Sequence, residues 1–291
     1  MRVVFGRLIL ALVGYVSLCS VAFAQLKFDK AQLAQLEALE RQILYHPRKY
    51  AAADVDKFIG DAGRRIEFTT KQGRQVAWLI PPANGAAPEK LWICCGGNGT
   101  LALDLEPLCR ALPLGADAFL LVDYPGYGLC AGSPSPLDIR ETMKVSVLQA
   151  TKELKIDAAK LPQRVCVFGH SLGCAATLLA VEEFHLRRAV LCAPFTDTRE
   201  VAQEKMGIPK EFPVQHKFDT RPGLKELAQN KGRAWIFHGD QDDIIPVEMS
   251  KTLAREFKDT VSLHVVAGAG HNDVIGRALN ELTAAMQDAR K

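Results

Sequence analysis

The pattern of apolar and polar positions changes character twice along the chain. Leu8 to Val21 is an apolar run without charge. Further on, Leu33, Leu36, Leu39 and Ile43 recur at steps of three and four, with Gln32, Glu37, Glu40 and Arg41 between them. That spacing predicts an amphipathic helix packed by one face against the body of the protein. Pro47 and the polar residues beyond it close the helix. From about residue 64 the period shortens. Arg65–Thr69 and Gln75–Ile80, separated by Lys71-Gln72-Gly73, read as an antiparallel hairpin. Short apolar runs follow at Leu91–Cys95, Ala118–Val122, Arg164–Phe168, Arg188–Cys192, Ala234–Phe237 and Ser262–Val266. Between and after them lie helical stretches at Leu103–Leu112, Leu137–Leu154, Leu172–Phe184, Val247–Phe257 and Val274–Ala289.

Continuous apolar strands alternating with amphipathic helices predict an α/β fold, with an eight-stranded, mostly parallel sheet covered by helices on both faces. Residues 25–63 form an N-terminal helical segment, and residues 64–291 a single domain. One connection is longer than the rest. Between Cys192 and Ala234 it carries Pro209, Pro213, Pro222 and several charges. Ligands bind at the C-terminal edge of a parallel sheet, so this stretch, about 194–233, is the candidate for a short cap.

The apolar run near the start changes the picture of where the protein works. Arg2 and Arg7 precede it, and Ala22-Phe23-Ala24 closes it with the small-x-small pattern of a signal-peptidase site. Residues 1–24 therefore read as a signal peptide of an exported protein, periplasmic or secreted. The alternative is an uncleaved anchor, because no charge occurs from Leu8 to Leu26. A lipid site at Cys19 is disfavoured by the bulk of Leu18 before it. Without this leader the chain has 34 basic and 33 acidic residues, a balance that gives no electrostatic footing for nucleic acid. Seven cysteines remain, an odd number, with Cys94, Cys95, Cys166 and Cys192 inside expected strands as small hydrophobes. Export permits disulfides, and the pattern requires none. No Cys/His spacing suggests a metal.

The candidate chemistry centres on Gly169-His170-Ser171-Leu172-Gly173, between an apolar strand and a helix. In that context Gly-x-Ser-x-Gly is a nucleophile elbow, whose glycines let the helix pass close to the strand. A serine hydroxyl needs a base, and in this arrangement the order along the chain is Ser, acid, His. His271 follows the last strand, in Gly268-Ala269-Gly270-His271-Asn272. His264 lies inside that strand and is expected in the packing. His185 and His216 have polar neighbours and are expected at the surface, and His238 is expected to support the turn after its strand. The acid should lie in the loop after the seventh strand, where Asp240, Asp242 and Asp243 all stand and spacing does not choose among them. An oxyanion hole needs two backbone donors. The Leu172 N–H is one, and the loop Gly96-Gly97-Asn98-Gly99-Thr100 supplies the other, Asn98 or alternatively Gly99.

Taken together, several motifs over residues 64–285 resemble compact α/β-hydrolases of the serine-aminopeptidase-like (hydrolase-4) type, including bud-emergence-type and depalmitoylase-type members. They are Gly97-Asn98-Gly99, Asp123-Tyr124-Pro125-Gly126-Tyr127-Gly128, the elbow, Ala193-Pro194-Phe195-Thr196, His238-Gly239-x-x-Asp242-x-x-Ile245-Pro246 and Gly268-Ala269-Gly270-His271-Asn272. The resemblance implies Asp242 as the acid, since it stands three residues before the hydrophobic-Pro pair. Gly96 stands where members usually carry His, and Cys130 where serine is common, so substrate preference does not carry over.

The expectation is a serine hydrolase acting on a carboxylic ester or thioester of a small-molecule or acyl substrate, with no cofactor, no metal and no nucleic-acid partner. Membrane contact would come only through an uncleaved N-terminus. A peptidase or amidase is the runner-up within enzymes, although the cap sequence shows no acidic cluster for an amine end. A non-catalytic binding protein on the same fold is the alternative from another class.

Overall fold

The computed structural model describes residues 28–209 and 212–291, so the expected leader over 1–24 lies outside the described residues. Helix α1 (Lys30–Leu44) begins at a capping box. Asp29 accepts the Gln32 N–H at 2.8 Å, and Gln32 in turn accepts the Asp29 N–H at 2.9 Å. A second helix that the sequence reading missed, α2 (Ala52–Gly60), follows Pro47. Its Phe58 is fully buried edge-on against Trp78, with ring centroids 5.5 Å apart. The helical spacing of Val55, Phe58 and Ile59 was the available signal.

The body then runs β1 (Arg64–Thr70), β2 (Gly73–Ile80), β3 (Leu91–Cys95), α3 (Glu106–Ala111), β4 (Ala118–Val122), α4 (Pro136–Glu153), α5 (Leu161–Arg164) and β5 (Val165–His170). It continues as α6 (Leu172–Phe184), β6 (Arg188–Cys192), α7 (Thr198–Met206), α8 (Arg221–Gln229), β7 (Arg233–Gly239), α9 (Val247–Glu256), β8 (Val261–Val266), α10 (Val274–Arg277) and α11 (Leu279–Ala289). All eight expected strands form, in the order β1-β2-β4-β3-β5-β6-β7-β8. β2 is antiparallel to both neighbours, and β3 to β8 are mutually parallel. Two of the expected helices differ in extent. The stretch before α3 is a 3-10 turn, Ala102–Leu105. Pro107 has no N–H to give an α-helical bond and fits only in the first turn of α3. The C-terminal helix is split at Ala278. The 194–233 stretch holds two helices, α7 and α8.

Neighbouring strand residues fill opposite cores, as a two-residue period demands. Leu91, Ile93 and Cys95 pack with α4, α6, α8 and α9. Trp92 and Cys94 pack with Phe58 of α2, Cys109 of α3 and the apolar face of α11. Both faces being covered explains why the central strands are apolar throughout. The seven described cysteines are all buried free thiols, filling space within these two cores. Among the described residues no helix is long and apolar enough to cross a membrane.

One buried carboxylate ties the N-terminal segment to this body. Asp123, just beyond β4, accepts from Tyr50 Oη at 2.7 Å and from Trp78 Nε1 at 2.9 Å, both on Oδ2. Its Oδ1 accepts the Ala102 N–H at 2.9 Å. Burial pushes its pKa up, against the lowering effect of these three donors. All three partners are donors, so an amide in its place would aim its own N–H at one of them. Asp123→Asn is expected to cost about 2–4 kcal/mol, read as a lower urea midpoint at unchanged m-value.

Candidate active site

Strand β5 ends at His170 and α6 starts at Leu172, so Ser171 alone makes the reversal. Its backbone stands at φ 55° and ψ −121°, a conformation that costs a non-glycine residue about 1–3 kcal/mol. The surroundings impose it. The Ser171 N–H donates to the Cys192 carbonyl at 2.9 Å, tying the turn to β6. A Cβ at Gly173 would stand 2.1 Å from the Cys95 carbonyl oxygen, and one at Gly169 would stand 2.6 Å from the Gly173 carbonyl oxygen. Only glycine at both positions lets α6 approach β3 and β5 this closely. Helix α6 is apolar nearly all round and ten of its residues are buried, so the turn is carried on the most enclosed helix of the fold.

His271 lies past the end of β8, in a loop folded back over the sheet edge. Its Nδ1 is 2.7 Å from Asp242 Oδ2, and the carboxylate is fully buried. The Oδ1 of Asp242 accepts the backbone N–H groups of Ile244 and Ile245 at 2.9 and 2.8 Å. Burial would raise the Asp242 pKa, but donors from His238, His271 and the Ile245 amide outweigh it and hold the carboxyl well below the usual range. Of the three aspartates in this loop, the structure thus brings Asp242 to His271. Asp240 instead accepts the Gly268 N–H at 2.7 Å, a turn-holding role, and Asp243 is exposed.

His238 supports the turn, as its position at a strand end suggested. It is wholly buried, with Nδ1 2.6 Å from Ser250 Oγ, and Nε2 2.8 Å from the Ile245 carbonyl and 3.2 Å from Asp242 Oδ2. Two other histidines depart from expectation. His216 is buried, 1 % exposed, where it meets Tyr45 Oη at 3.1 Å and ties the connection before α8 to the end of α1. The fold wraps its polar neighbours around it. His264 is exposed because β8 is the sheet's edge strand, and its ring stacks on Phe237 at 4.8 Å.

The glycine loop after β3 comes up beside Ser171. A Cβ at Gly97 would lie 3.4 Å from Ser171 Cβ, so Gly97, expected only as part of the oxyanion loop, is a direct neighbour of the serine. Asn98 is the next residue, and its carbonyl is held by the His46 N–H at 2.9 Å and by the Tyr127 hydroxyl at 2.5 Å. Leu172, first residue of α6, carries an N–H that no intrahelical acceptor can satisfy. The Ser171 hydroxyl makes no hydrogen bond to another described residue. Such contacts are commonly loose without substrate.

An open cleft of about 480 Å³ lies at the same sheet edge, beyond β6 and β7. Glu200 and Glu204 of α7 and Glu248 of α9 line it. Glu200 is paired with Arg221 at 3.3 Å and Glu248 with Lys251 at 2.6 Å, so the carboxylates of this cleft are partly neutralised by their own neighbours.

An eight-stranded sheet with one antiparallel strand, a strained serine between a central strand and a buried helix, and a His–Asp pair from the last two strand loops define an α/β hydrolase. The comparisons agree. Residues 92–229 match the profile of the α/β hydrolase family. An uncharacterized protein of Mycobacterium tuberculosis is 26% identical over 236 residues, 80% of this chain and 81% of the relative. Alpha/beta hydrolase domain-containing protein 17C of Mus musculus is 24% identical over 195 residues, 65% of this chain and 57% of its own length. Among solved structures, an esterase from Pyrococcus furiosus superposes with a TM-score of 0.63 at 17% identity, over 84% of this chain and 96% of its own. The chain has the α/β-hydrolase fold and is similar to members of that superfamily.

The contact at Gly173 gives a sharp test of how the turn is built. Gly173→Ala is expected to cost about 3 kcal/mol or more, because the clash is with backbone. Gly276→Ala, where a Cβ meets nothing within 4 Å, is expected to be neutral or slightly stabilising. Thermal melts of the two variants beside wild type measure this.

Proposed function

We propose that the protein is a serine hydrolase that cleaves a carboxylic ester or thioester through an acyl-enzyme. Ser171 Oγ attacks the carbonyl carbon as its proton passes to His271 Nε2, the ring nitrogen left over when Asp242 takes Nδ1. Backbone N–H groups of Leu172 and Asn98 receive the oxyanion. Collapse breaks the bond to the leaving group, which takes the proton from His271. A water then attacks the acyl carbon, returns its proton through the same imidazole, and the free acid departs. The observation that carries this reading is the 2.7 Å bond from His271 to the buried Asp242, set at the sheet edge where Ser171 holds a strained backbone. The partner is a small-molecule or acyl-ester substrate. The leader pattern of Arg2, Arg7 and Ala22-Phe23-Ala24 supports export.

A second reading, amidase or peptidase, is favoured by Glu204 in this cleft as an acceptor for a substrate ammonium group, with Glu200 and Glu248 paired to Arg221 and Lys251 beside it.

On nitrophenyl esters from acetate to palmitate, wild type is expected to turn over and Ser171→Ala to lose about 10⁴-fold or more in kcat. Asp242→Asn should lose about 10³–10⁴-fold. Wild type and Ser171→Ala equally inert on every ester, but differing on aminoacyl nitroanilides, would transfer the reading to the amidase; equality on both would sink it. The pH profile adds a sign. A carboxyl with a depressed folded pKa stabilises the fold above its unfolded value, about 3.9, and that contribution fades only as pH falls below it. Asp242 therefore stays ionised down to about pH 4, and neither kcat/KM nor stability should show an acid-side loss traceable to this carboxyl above that pH.

A further inference from the structure

We propose that His170 is a positioning residue, holding the His271 loop in register with Ser171 through its own ring N–H. The inference rests on the serine-hydrolase reading and deepens it. His170 is the last residue of β5 and the immediate neighbour of Ser171. Its Nε2 lies 2.9 Å from the backbone carbonyl oxygen of His271. A carbonyl can only accept, so Nε2 carries the hydrogen, and in the neutral ring Nδ1 is bare. The two imidazoles sit 5.0 Å apart, centroid to centroid, inclined at 43°. On the other side, His170 Nδ1 is 3.5 Å from the point where a Cβ on Gly97 would stand. One side chain, next to Ser171 in the chain, therefore bonds the histidine loop on one side and faces the glycine loop on the other.

The bond runs to the backbone of His271, not its ring, which leaves both ring nitrogens of His271 for Asp242 and for the proton of Ser171. It complements the Asp242 bond: the carboxylate sets the rotation of the ring, and His170 sets where the main chain carrying it stands. A misplacement of about 1 Å can cost about 100-fold in rate, so a fixed backbone matters. The donor must also be uncharged. When His271 takes a proton, a cation 5.0 Å away would oppose it. Burial, then the neighbouring His271, hold His170 down at about 4. The hydrogen bond to the His271 carbonyl and the Asp242 carboxylate favour its charged form, and His238 opposes it, without outweighing burial. An imidazole gives an N–H in this place without a charge through neutral pH, which lysine or arginine could not.

The test uses purified full-length protein and two substitutions. His170→Leu removes the donor at similar bulk, and His170→Gln keeps an amide N–H at similar reach. With folding checked by thermal melts, the leucine variant is expected to lose about 10–100-fold in kcat with KM within about threefold, and glutamine to restore most of it. A leucine variant as active as wild type, or a glutamine variant no better than a well-folded leucine one, overturns the proposal. If wild type and Ser171→Ala are equally inert, the serine-hydrolase reading falls and this one with it. A wild type active through Ser171 beside an indifferent His170→Leu sinks only the positioning role. Should the leucine variant fail to fold, ¹⁵N imidazole spectra of wild type decide. A neutral, Nε2-protonated His170 from pH 5 to 8 supports the proposal, and an Nδ1-protonated ring or a titration near 6.5 overturns it.

Discussion

The close approach of α6 to strands β3 and β5 is the constraint on which the rest of the site depends. A main-chain carbonyl, that of Cys95, stands 2.1 Å from where a Cβ on Gly173 would be, so the helix touches the sheet backbone to backbone. Nothing flexible lies in that contact to absorb an error. With the helix start fixed there and the Ser171 N–H tied to Cys192, the single residue between strand and helix has no relaxed conformation left. The strain at Ser171 is thus a product of packing on both sides, held by an apolar helix whose burial stabilises the fold by far more than the turn costs.

Burial acts in two opposite directions within a few ångströms of that turn. Around Asp242 it is overcome: two backbone amides and two imidazoles surround a fully buried carboxylate and hold it as an anion. At His170, burial wins and the ring stays neutral. The difference lies in the partners. Asp242 meets donors on both oxygens, which favour the charged form, whereas His170 meets one carbonyl and a neighbouring imidazole that charges in the proposed mechanism.

How much of this was legible in sequence depended on whether the information was local. All eight strands were, because a strand buried on both faces writes an unbroken apolar run. The serine turn was legible too, since its glycines sit two residues either side. Helix α2 was not: it is short, lies just beyond Pro47, and offers one fully buried residue, Phe58. The choice among Asp240, Asp242 and Asp243 came from family resemblance, because which carboxylate turns inward is set by the Ile244 and Ile245 amides, a property of the folded turn. His216 was misjudged for the same reason. Its sequence neighbours are polar, but what buries it is Tyr45, 171 residues away. The glutamates of the cleft are likewise split between α7 and α9.

The polar groups around the turn are also shared between elements rather than owned by one. Asp242 is held by its own loop, by His238 from the end of β7 and by His271 from beyond β8, so no one of these loops can shift alone. His170 links the histidine loop to β5, and the Cys192 carbonyl links Ser171 to β6. The groups that take part in the proposed chemistry are therefore positioned relative to one another by the parallel strands β5 to β8, which are themselves locked by ladder bonds. The glycine loop arrives on β3, a direct neighbour of β5 in the sheet. A rigid sheet edge thus sets the spacing between Ser171, His271 and the glycine loop, while the connection through α7 and α8 leaves the sheet between β6 and β7 and is a loop-side addition to it.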